Sequence, residues 1–354
     1  MKIVHVIFSM NTGGAELMLV DIMNRQVRRG HDVHLLIINN QYTPSIIESV
    51  DPKVKVHYIG RPEGSRNPWW ILKYNLKLRY LKADVIHFHH DGAVGMVPVL
   101  PRHAVNVGTI HAPGIAVKHY KHLDRVFAIS DGVRNDTLKR TGVDSTVVYN
   151  GINTDDIIPA DSQSLPGQSF KIIQVGRVSI DVKGQDILIR AIARLAGQGY
   201  DITVDFIGAP FDRPVLDELA KELGILDRVN YLGLRDRRYI YSHLKDYNLL
   251  AVPSRYEGFG LTLAEAMAAK IPVMASDTEG PAELLADNTY GELFKNEDVD
   301  DCARALKQII DNYPKYMAIA RDKAYHYAID NFSIASTVAN YINQYQELIE
   351  RNNK

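Results

Sequence analysis

The sequence predicts an α/β protein with two doubly wound domains, each built on a parallel sheet. Short apolar and often β-branched runs alternate with segments long enough for crossover helices, which is the pattern of such sheets. The alternation pauses at a polar stretch with two prolines, residues 151–169, and then restarts. A length of 354 residues also agrees with two domains of ordinary size.

In the first half, Lys2–Phe8 is predicted to form a strand and Ala15–Arg29 a helix, which Gly30 ends. Further strands are predicted at Val33–Ile38, Val54–Ile59, Ala83–His87, Asn106–His111 and Arg125–Ser130. Ligands of open parallel sheets bind beyond the carboxyl ends of the strands, so residues at those ends are the first candidates for a site.

The second half repeats this organisation and ends in a helix. Strands are predicted at Phe170–Val175, Ile202–Ile207, Val229–Leu232, Leu249–Val252 and Pro272–Ser276. Helices are predicted at Gln185–Gly197, Val215–Leu223, Leu261–Ala269 and Ile334–Ile349.

Composition excludes several classes of protein. With 46% hydrophobic and 23% charged residues the chain is neither disordered nor fibrous. Its apolar runs are too short to cross a bilayer, and Ile3–Phe8 is too short for the core of a signal peptide. The single cysteine, Cys302, excludes an intrachain disulfide and agrees with a reducing cytoplasm.

Charge is distributed unevenly along the chain. Residues 1–160 carry an excess of five positive charges, and residues 161–354 an excess of six negative charges. The basic half suggests an anionic partner, either a membrane surface or a phosphorylated substrate. No nucleic-acid partner is predicted, because no zinc-finger or RNA-recognition motif accompanies the excess.

Three motifs follow predicted strands. Gly13-Gly14-Ala15-Glu16 opens the first helix, where a backbone free of side chains and a helix N-terminus suit a phosphate, although a plain turn explains it equally well. Arg177 and Lys183 share the loop after Phe170–Val175, and two fixed cations at a strand end suit a diphosphate.

The third motif, residues 253–276, places Glu257 on a glycine-rich loop and Glu265 in the following helix. Gly258 and Gly260 leave backbone N–H groups accessible between the two carboxylates. N–H donors for phosphates and carboxylates for sugar and ribose hydroxyls are what a nucleotide sugar requires. A carboxylate that favours the helix dipole would explain Glu265 but not the whole stretch.

With these motifs the sequence resembles the retaining glycosyltransferases of family 4, which have the GT-B fold of two Rossmann-like domains facing a cleft. The matching pieces are GGAE at 13–16, TIH at 109–111, NGI at 150–152, GR…KG at 176–184, EGFGLTLAE at 257–265, EGPAELL at 279–285 and YGELF at 290–294. The resemblance implies a domain at 1–160 that binds the acceptor and a domain at 161–330 that binds the nucleotide sugar. It also implies that a helix within 331–354 crosses back to the first domain.

The resemblance also implies residue roles. Arg177 and Lys183 would hold the donor diphosphate and steady the leaving group, Glu257 would face the donor sugar, and Glu265 would bind ribose. Backbone groups of Gly258, Phe259, Gly260 and Leu261 would contact sugar and phosphate. His111 would approach the transferred sugar, and Gly13 and Gly14 would lie beside the diphosphate.

Two other patterns resemble metal sites. Asp298-Val299-Asp300 spells D-x-D, but it precedes an apolar-periodic stretch and is interpreted as a helix start. His87 and His89 share one strand face that His90 opposes, and no carboxylate or cysteine completes a site by spacing. We therefore expect neither a metal nor another cofactor, and the donor would be a UDP- or GDP-linked sugar.

Residues 61–82 combine aromatic residues with lysines and arginines. A helix with Trp69, Tyr80 and neighbouring lysines could lie on an anionic membrane interface. The alternative is a helix with Leu72 and Leu76 in the core and its lysines in water.

We expect a retaining transferase that moves the sugar to a glycan or lipid-linked acceptor, in surface polysaccharide or lipopolysaccharide biosynthesis. The protein would be cytoplasmic, or peripheral on the inner face of the membrane. A sugar-nucleotide epimerase or hydrolase of the same fold, a NAD-dependent oxidoreductase and a catalytically silent binding protein are the alternatives. The missing dinucleotide fingerprint disfavours the oxidoreductase.

Overall fold

The computed structural model describes residues 1–11, 13–161 and 169–352, which form two compact units. The first unit contains Met1–Gly151 and Ile334–Lys354, and the second contains Ile152–Ser333. Part of the predicted linker, residues 162–168, lies outside the described residues.

The described part of the first unit contains a parallel sheet of seven strands in the order β3-β2-β1-β4-β5-β6-β7. The strands are β1 (Lys2–Ile7), β2 (Asp32–Asn39), β3 (Lys55–Arg61), β4 (Val85–Phe88), β5 (Val105–Ile110), β6 (Arg125–Ala128) and β7 (Thr146–Val147). Ile3, Val4 and Val6 are all fully buried, as expected for a central strand covered on both faces.

Five helices of this unit precede residue 152 in the described chain: α1 (Gly14–Arg28), α2 (Pro44–Glu48), α3 (Pro68–Tyr80), α4 (Asp91–Gly95) and α5 (Asp131–Thr141). Ser130 caps the N-terminus of α5, because its Oγ accepts a hydrogen bond from the Val133 amide at 3.1 Å.

Helix α3 corrects one of the sequence interpretations. Tyr74 and Leu78 are its buried residues, whereas Leu72 and Leu76 are 50% and 58% exposed. The placement of Leu72 and Leu76 in the core is therefore wrong. Tyr74 and Leu78 are four residues apart and lie on one helix face. The helix packs against the rest of the first unit with this face and not with the face that carries Leu72 and Leu76.

The second unit has a parallel sheet of six strands in its described residues, in the order β10-β9-β8-β11-β12-β13. The strands are β8 (Phe170–Val175), β9 (Ile202–Ile207), β10 (Val229–Gly233), β11 (Leu249–Val252), β12 (Val273–Ser276) and β13 (Glu292–Phe294). The predicted pair of doubly wound parallel-sheet domains is confirmed.

The helices of the second unit are α6 (Ile180–Lys183), α7 (Gln185–Ala196), α8 (Arg213–Glu222), α9 (Arg237–His243), α10 (Leu261–Ala268), α11 (Glu279–Leu285), α12 (Val299–Asp311), α13 (Tyr313–Ile319) and α14 (Tyr325–Phe332). A π-helical turn at Ala320–Ala324 joins the last two. In the core of the second unit, α7 and α12 pack together on one face of the sheet.

The last helix, α15 (Ile334–Asn352), belongs to the first unit and is anchored by polar contacts. The Tyr345 hydroxyl lies 2.6 Å from His87 Nδ1, and the Tyr341 hydroxyl lies 3.1 Å from Thr109 Oγ1. Arg125 reaches Glu347 at the surface, at 2.9 Å. Within the described chain, no helix has both the length and the apolar character needed to cross a membrane.

Candidate functional site

The loop after β8 in the second unit is fixed from both sides by glutamines. Gln174, on β8, donates a hydrogen bond from Nε2 to the Lys183 carbonyl at 3.0 Å. Gln185, at the start of α7, donates one to the Arg177 carbonyl, also at 3.0 Å. Both glutamines are buried, so the backbone that carries the two predicted cations is held by the core.

Lys183 and Glu257 form a direct ion pair. Lys183 Nζ lies 2.7 Å from Glu257 Oε2, and both side chains are mostly covered. The Lys183 side chain also passes Gly176, where a Cβ would lie 3.5 Å from Lys183 Cε. Arg177 is exposed, and its guanidinium has no ion-pair partner among the described residues. It is therefore available to a ligand at the same loop.

Two loops approach so closely that glycine is required between them. Gly184 has a φ of +61°, and a Cβ there would lie 1.9 Å from the Pro253 carbonyl oxygen. The Arg255 amide donates to the Val182 carbonyl at 2.9 Å. These contacts hold the loop after β8 against the loop after β11, which brings Lys183 to Glu257.

Sequence reasoning missed the salt bridge that supports this contact. Arg255 donates to both carboxylate oxygens of Asp186, at 2.8 and 2.9 Å, and to the Ile180 carbonyl at 2.7 Å. The hydrogen bond with Asp186 raises the pKa of Arg255, so the pair remains charged. The position of Arg255, three residues after β11, is the only signal that the sequence offered.

Glu265 and the start of α10 follow Glu257 closely along the chain. Gly260 precedes α10 with a φ of +96°, and no side chain of the described residues caps the helix. The Leu263 and Ala264 amides donate to the Gly260 carbonyl, at 2.9 and 3.4 Å, so the amides that a ligand can reach at this helix start are those of Leu261 and Thr262. Glu265 Oε1 accepts a hydrogen bond from the buried Tyr241 hydroxyl at 3.1 Å, which orients the carboxylate.

Gly258 and Phe259 lie on the loop between β11 and α10. The Phe259 ring is buried and meets Phe332 edge to face, with centroids 5.4 Å apart. A Cβ on Gly280 would lie 2.6 Å from the Phe259 amide nitrogen and 2.7 Å from the Gly258 carbonyl carbon. This segment is thus seated on the start of α11, and its backbone is the part that can meet a ligand.

His111 lies in the first unit, directly after β5. It lines a cavity of about 660 Å³ together with Phe8, Glu16, His89 and Asp91. Its Nε2 lies 3.1 Å from His89 Nδ1. Burial lowers the pKa of His111 to about 4, so the ring is neutral at pH 7.

Gly13 caps α1 and Gly14 is its first residue, directly before Ala15 and Glu16, which line the same cavity. A Cβ on Gly13 would lie 2.4 Å from Glu16 Oε2, whereas a Cβ on Gly14 would meet no described atom within 4 Å. The protein itself therefore needs no glycine at position 14. Burial raises the pKa of Glu16.

The two patterns that resemble metal sites have structural explanations. Asp298 caps α12 by accepting a hydrogen bond from the Asp301 amide at 3.0 Å, as the sequence predicts. His90 caps α4 and accepts from the Gly92 amide at 3.0 Å. His87 and His89 are buried and stacked, with ring centroids 4.4 Å apart.

The structure thus joins Lys183 and Glu257 directly and places Arg177 and Glu265 on the adjoining loop and helix of the second unit. In the first unit, His111 lines the cavity, and Gly13 and Gly14 directly precede Ala15 and Glu16, which line it too. This arrangement can bind an anion at Arg177 and Lys183 and can accept hydrogen bonds from hydroxyl groups.

Two family models match the chain over most of its length. Residues 12–156 match the model of Glycosyltransferase Family 4, and residues 159–327 match that of Glycosyl transferases group 1. The second range contains every site residue of the second unit, and the first contains His111.

Individual proteins that are similar to this chain are also named as glycosyltransferases. D-inositol 3-phosphate glycosyltransferase of Mycolicibacterium smegmatis is 35% identical over 199 residues, which are 54% of this chain and 45% of that protein. The chain spans about half the length of the first such relatives, 45–51%. Phosphatidyl-myo-inositol mannosyltransferase of the same organism is 25% identical over 89% of this chain and 86% of its own.

A solved structure shares the fold. HepE of Anabaena, crystallised with UDP and glucose, superposes with a TM-score of 0.78 at 21% identity, over 98% of this chain and all of that chain. The chain belongs to the group 1 and family 4 glycosyltransferases and has their GT-B fold.

Proposed function

We propose that this protein transfers a sugar from a nucleotide-diphosphate sugar to a hydroxyl of a glycan or lipid-linked acceptor, with retention at the anomeric carbon. The observation that carries the proposal is the Lys183–Glu257 pair at 2.7 Å, set between the loops after β8 and β11. It joins a cation suited to a diphosphate with a carboxylate suited to sugar hydroxyls. The UDP and glucose bound by HepE are of the same chemical class.

In the proposed reaction, negative charge develops on the phosphate as the nucleotide leaves. Lys183 and Arg177 stabilise that charge electrostatically, and the N–H groups at the start of α10 add to it. Glu257 accepts hydrogen bonds from sugar hydroxyls, and Glu265, oriented by Tyr241, from ribose hydroxyls. These protein cations take the electrostatic role that a divalent metal has in other enzymes, and no metal is assigned to the site.

Retention is proposed to follow a front-face route. Double displacement needs a carboxylate nucleophile directly below the sugar, as in retaining hydrolases. In a front-face route the donor phosphate accepts the proton of the acceptor hydroxyl while the glycosidic bond forms on the same face. NMR of the product's anomeric linkage tests this proposal, and an inverted linkage would exclude it.

A thermal-shift panel with UDP, GDP, ADP, TDP and their sugars, with and without Mg²⁺, tests the donor site. A ligand at 100 times its Kd adds about 2.7 kcal/mol of stability, so one diphosphate should stand out. Lys183→Ala should abolish the shift, whereas Lys221→Ala, which removes an exposed lysine on α8, should preserve it. A flat panel would contradict the proposed donor.

A sugar-nucleotide epimerase or hydrolase of the same fold is the second candidate. It would consume the donor in the absence of any acceptor, and the sugar product would be an epimer or a free sugar. Turnover that requires an added glycan or lipid-linked acceptor would exclude it.

The proposed setting of the sugar transfer is the assembly of a bacterial surface polysaccharide or lipopolysaccharide.

We also propose that α3 docks the first unit on an anionic membrane. Trp69, Leu76 and Tyr80 are 57%, 58% and 77% exposed, and lysines flank them. Lys73 and Lys77 lie over the rings of Trp70 and Tyr80, at 5.3 and 5.5 Å from the centroids. Exposed apolar groups framed by cations suit a lipid headgroup region of negative charge.

Vesicle sedimentation tests this docking. The protein should bind vesicles that contain anionic lipid and should bind neutral vesicles much less. A variant with Trp69→Ser and Leu76→Ser should lose binding. The matched control, Val215→Ser with Leu226→Ser, removes exposed apolar groups from the second unit and should retain it. Equal binding of both variants would refute the role of α3.

A further inference from the structure

Three histidines of the first unit form a continuous hydrogen-bonded chain that ends at the cavity. His5 lies on β1, His89 directly after β4, and His111 directly after β5. His111 Nε2 lies 3.1 Å from His89 Nδ1, and His89 Nε2 lies 3.0 Å from His5 Nδ1. His5 Nε2 in turn lies 2.8 Å from Oε1 of Gln26, a buried residue of α1.

The chain has a direction because each neutral imidazole carries one N–H donor and one acceptor nitrogen. The Gln26 oxygen can only accept, so His5 donates to it from Nε2 and keeps a lone pair on Nδ1. His89 must then donate from Nε2 to His5, and His111 must donate from Nε2 to His89. Nδ1 of His111 is left with a lone pair. Burial lowers the pKa of all three histidines, which keeps them neutral.

The same cluster could be taken for a metal site. One ring nitrogen from each of His5, His87 and His89 lies within 4.8 Å of the other two. However, His87 uses Nδ1 for Tyr345 and Nε2 for Thr109, at 2.6 and 2.7 Å. A metal would break several buried hydrogen bonds and add a divalent charge to a cluster that contains no carboxylate. The hydrogen-bonded arrangement is therefore the stable one.

We propose that Gln26, His5 and His89 are positioning residues that hold His111 as the Nε2–H tautomer. In this tautomer His111 offers an acceptor nitrogen to the ligand, which selects a hydrogen-bond donor such as a sugar hydroxyl over an anion. The class of ligand rests on the proposed glycosyl transfer, whereas the tautomer follows from the hydrogen-bonded chain alone.

Two-bond ¹H–¹⁵N correlation spectra of the full chain, labelled at histidine, report each tautomer directly. We expect His111, assigned with a His111→Gln variant, to be entirely Nε2–H at pH 7.5. His89→Phe removes its acceptor, and Gln26→Met removes the oxygen that sets the direction. In both variants His111 should become a mixture of tautomers. A wild-type Nδ1–H tautomer, or a tautomer unchanged in both variants, would overturn the proposal.

A second histidine pair provides an internal control. His34 Nδ1 lies 2.9 Å from His57 Nε2 on neighbouring strands of the same sheet, apart from the chain. The signals of the His34–His57 pair should be unchanged in Gln26→Met. Unchanged signals would show that the sheet is intact in this variant. If His89→Phe fails to fold, Gln26→Met and the wild type still decide the question.

Kinetics separate positioning from a merely structural role. His89→Phe should lower kcat about 10- to 100-fold, the range for outer partners that orient a functional histidine, with little change in KM for the nucleotide sugar. A rise in KM with unchanged kcat would contradict positioning at the reacting sugar. Because the spectra need no substrate, they remain decisive even if the proposed transfer fails.

Discussion

Lys183 Nζ lies 2.7 Å from Glu257 Oε2, so the two residues assigned to the donor's diphosphate and sugar are paired with each other. A diphosphate that reaches Lys183 must compete with this carboxylate. Glu257 would then be free to accept sugar hydroxyls. In the proposed reaction the pair would thus link recognition of the two halves of the donor.

Loss of this lysine should weaken binding of the diphosphate and lower turnover. Lys183→Ala should lower kcat/KM by about 10²–10³, as for loss of one preorganised donor at a developing charge. Glu257→Gln should weaken sugar recognition but keep binding of the free nucleotide diphosphate. Steady-state kinetics and calorimetric titration with the diphosphate distinguish the two effects. Equal losses of diphosphate binding in both variants would contradict separate roles.

Gly184→Ala should destabilise the second unit through a steric clash. Its left-handed φ costs a side chain about 1–2 kcal/mol, and the Cβ would lie 1.9 Å from the Pro253 carbonyl oxygen. Overpacking of this kind adds about 1–3 kcal/mol. Gly199→Ala is the matched control, because Gly199 has a φ of +93° but no atom within 4 Å. Urea unfolding should show a larger loss for Gly184→Ala, and equal losses would refute the clash.

Tyr345→Phe should loosen α15 from the first unit. The tyrosine hydroxyl shares a hydrogen bond with Nδ1 of buried His87 at 2.6 Å, and its removal takes away the partner of that nitrogen. We expect a loss of about 1–3 kcal/mol in the free energy of unfolding. Tyr80→Phe, at an exposed position, should change it by less than about 0.5 kcal/mol. Similar effects of the two substitutions would argue against the anchor.

The sequence predicted what depends on local pattern. The strand bounds it gave agree with the structure to within two residues, because buried parallel strands are distinct apolar runs. β7 and β13 were missed, since two and three residues are too few to show a pattern. The motif residues 177, 183, 257 and 265 were found because strand ends and glycine-rich loops indicate them.

What the sequence did not reveal depends on residues that are distant along the chain. Arg255 and Asp186 are 69 residues apart, and each alone looks like an ordinary surface charge. His5 and His89 are 84 residues apart, so strand spacing could not show that they share a hydrogen bond. The exposed face of α3 was ambiguous because apolar residues occur all around that helix.

The buried histidines should make the protein less stable as the pH falls from about 7.5 to 5.5. Burial lowers the pKa of His5, His57 and His111 from the ordinary value of 6.5 to about 4. Between these values the unfolded chain binds protons that the folded chain does not, so acidification favours unfolding. The stabilisation is complete above pH 6.5 and declines toward pH 4, by up to about 1.4 kcal/mol per pH unit for the fully buried His5 and by less for His57 and His111, which are partly exposed.

Urea unfolding at pH 7.5, 6.5 and 5.5 measures this slope. His57→Gln removes one of the shifted groups and should make the slope shallower. His122→Gln replaces an exposed histidine and should leave the slope as it is. The paired carboxylates whose pKa values are lowered, such as Asp136 and Asp301, lose their stabilising effect only at more acidic pH, so they do not produce this slope. A free energy of unfolding that is constant from pH 7.5 to 5.5 would mean that these imidazoles can be protonated in the folded protein.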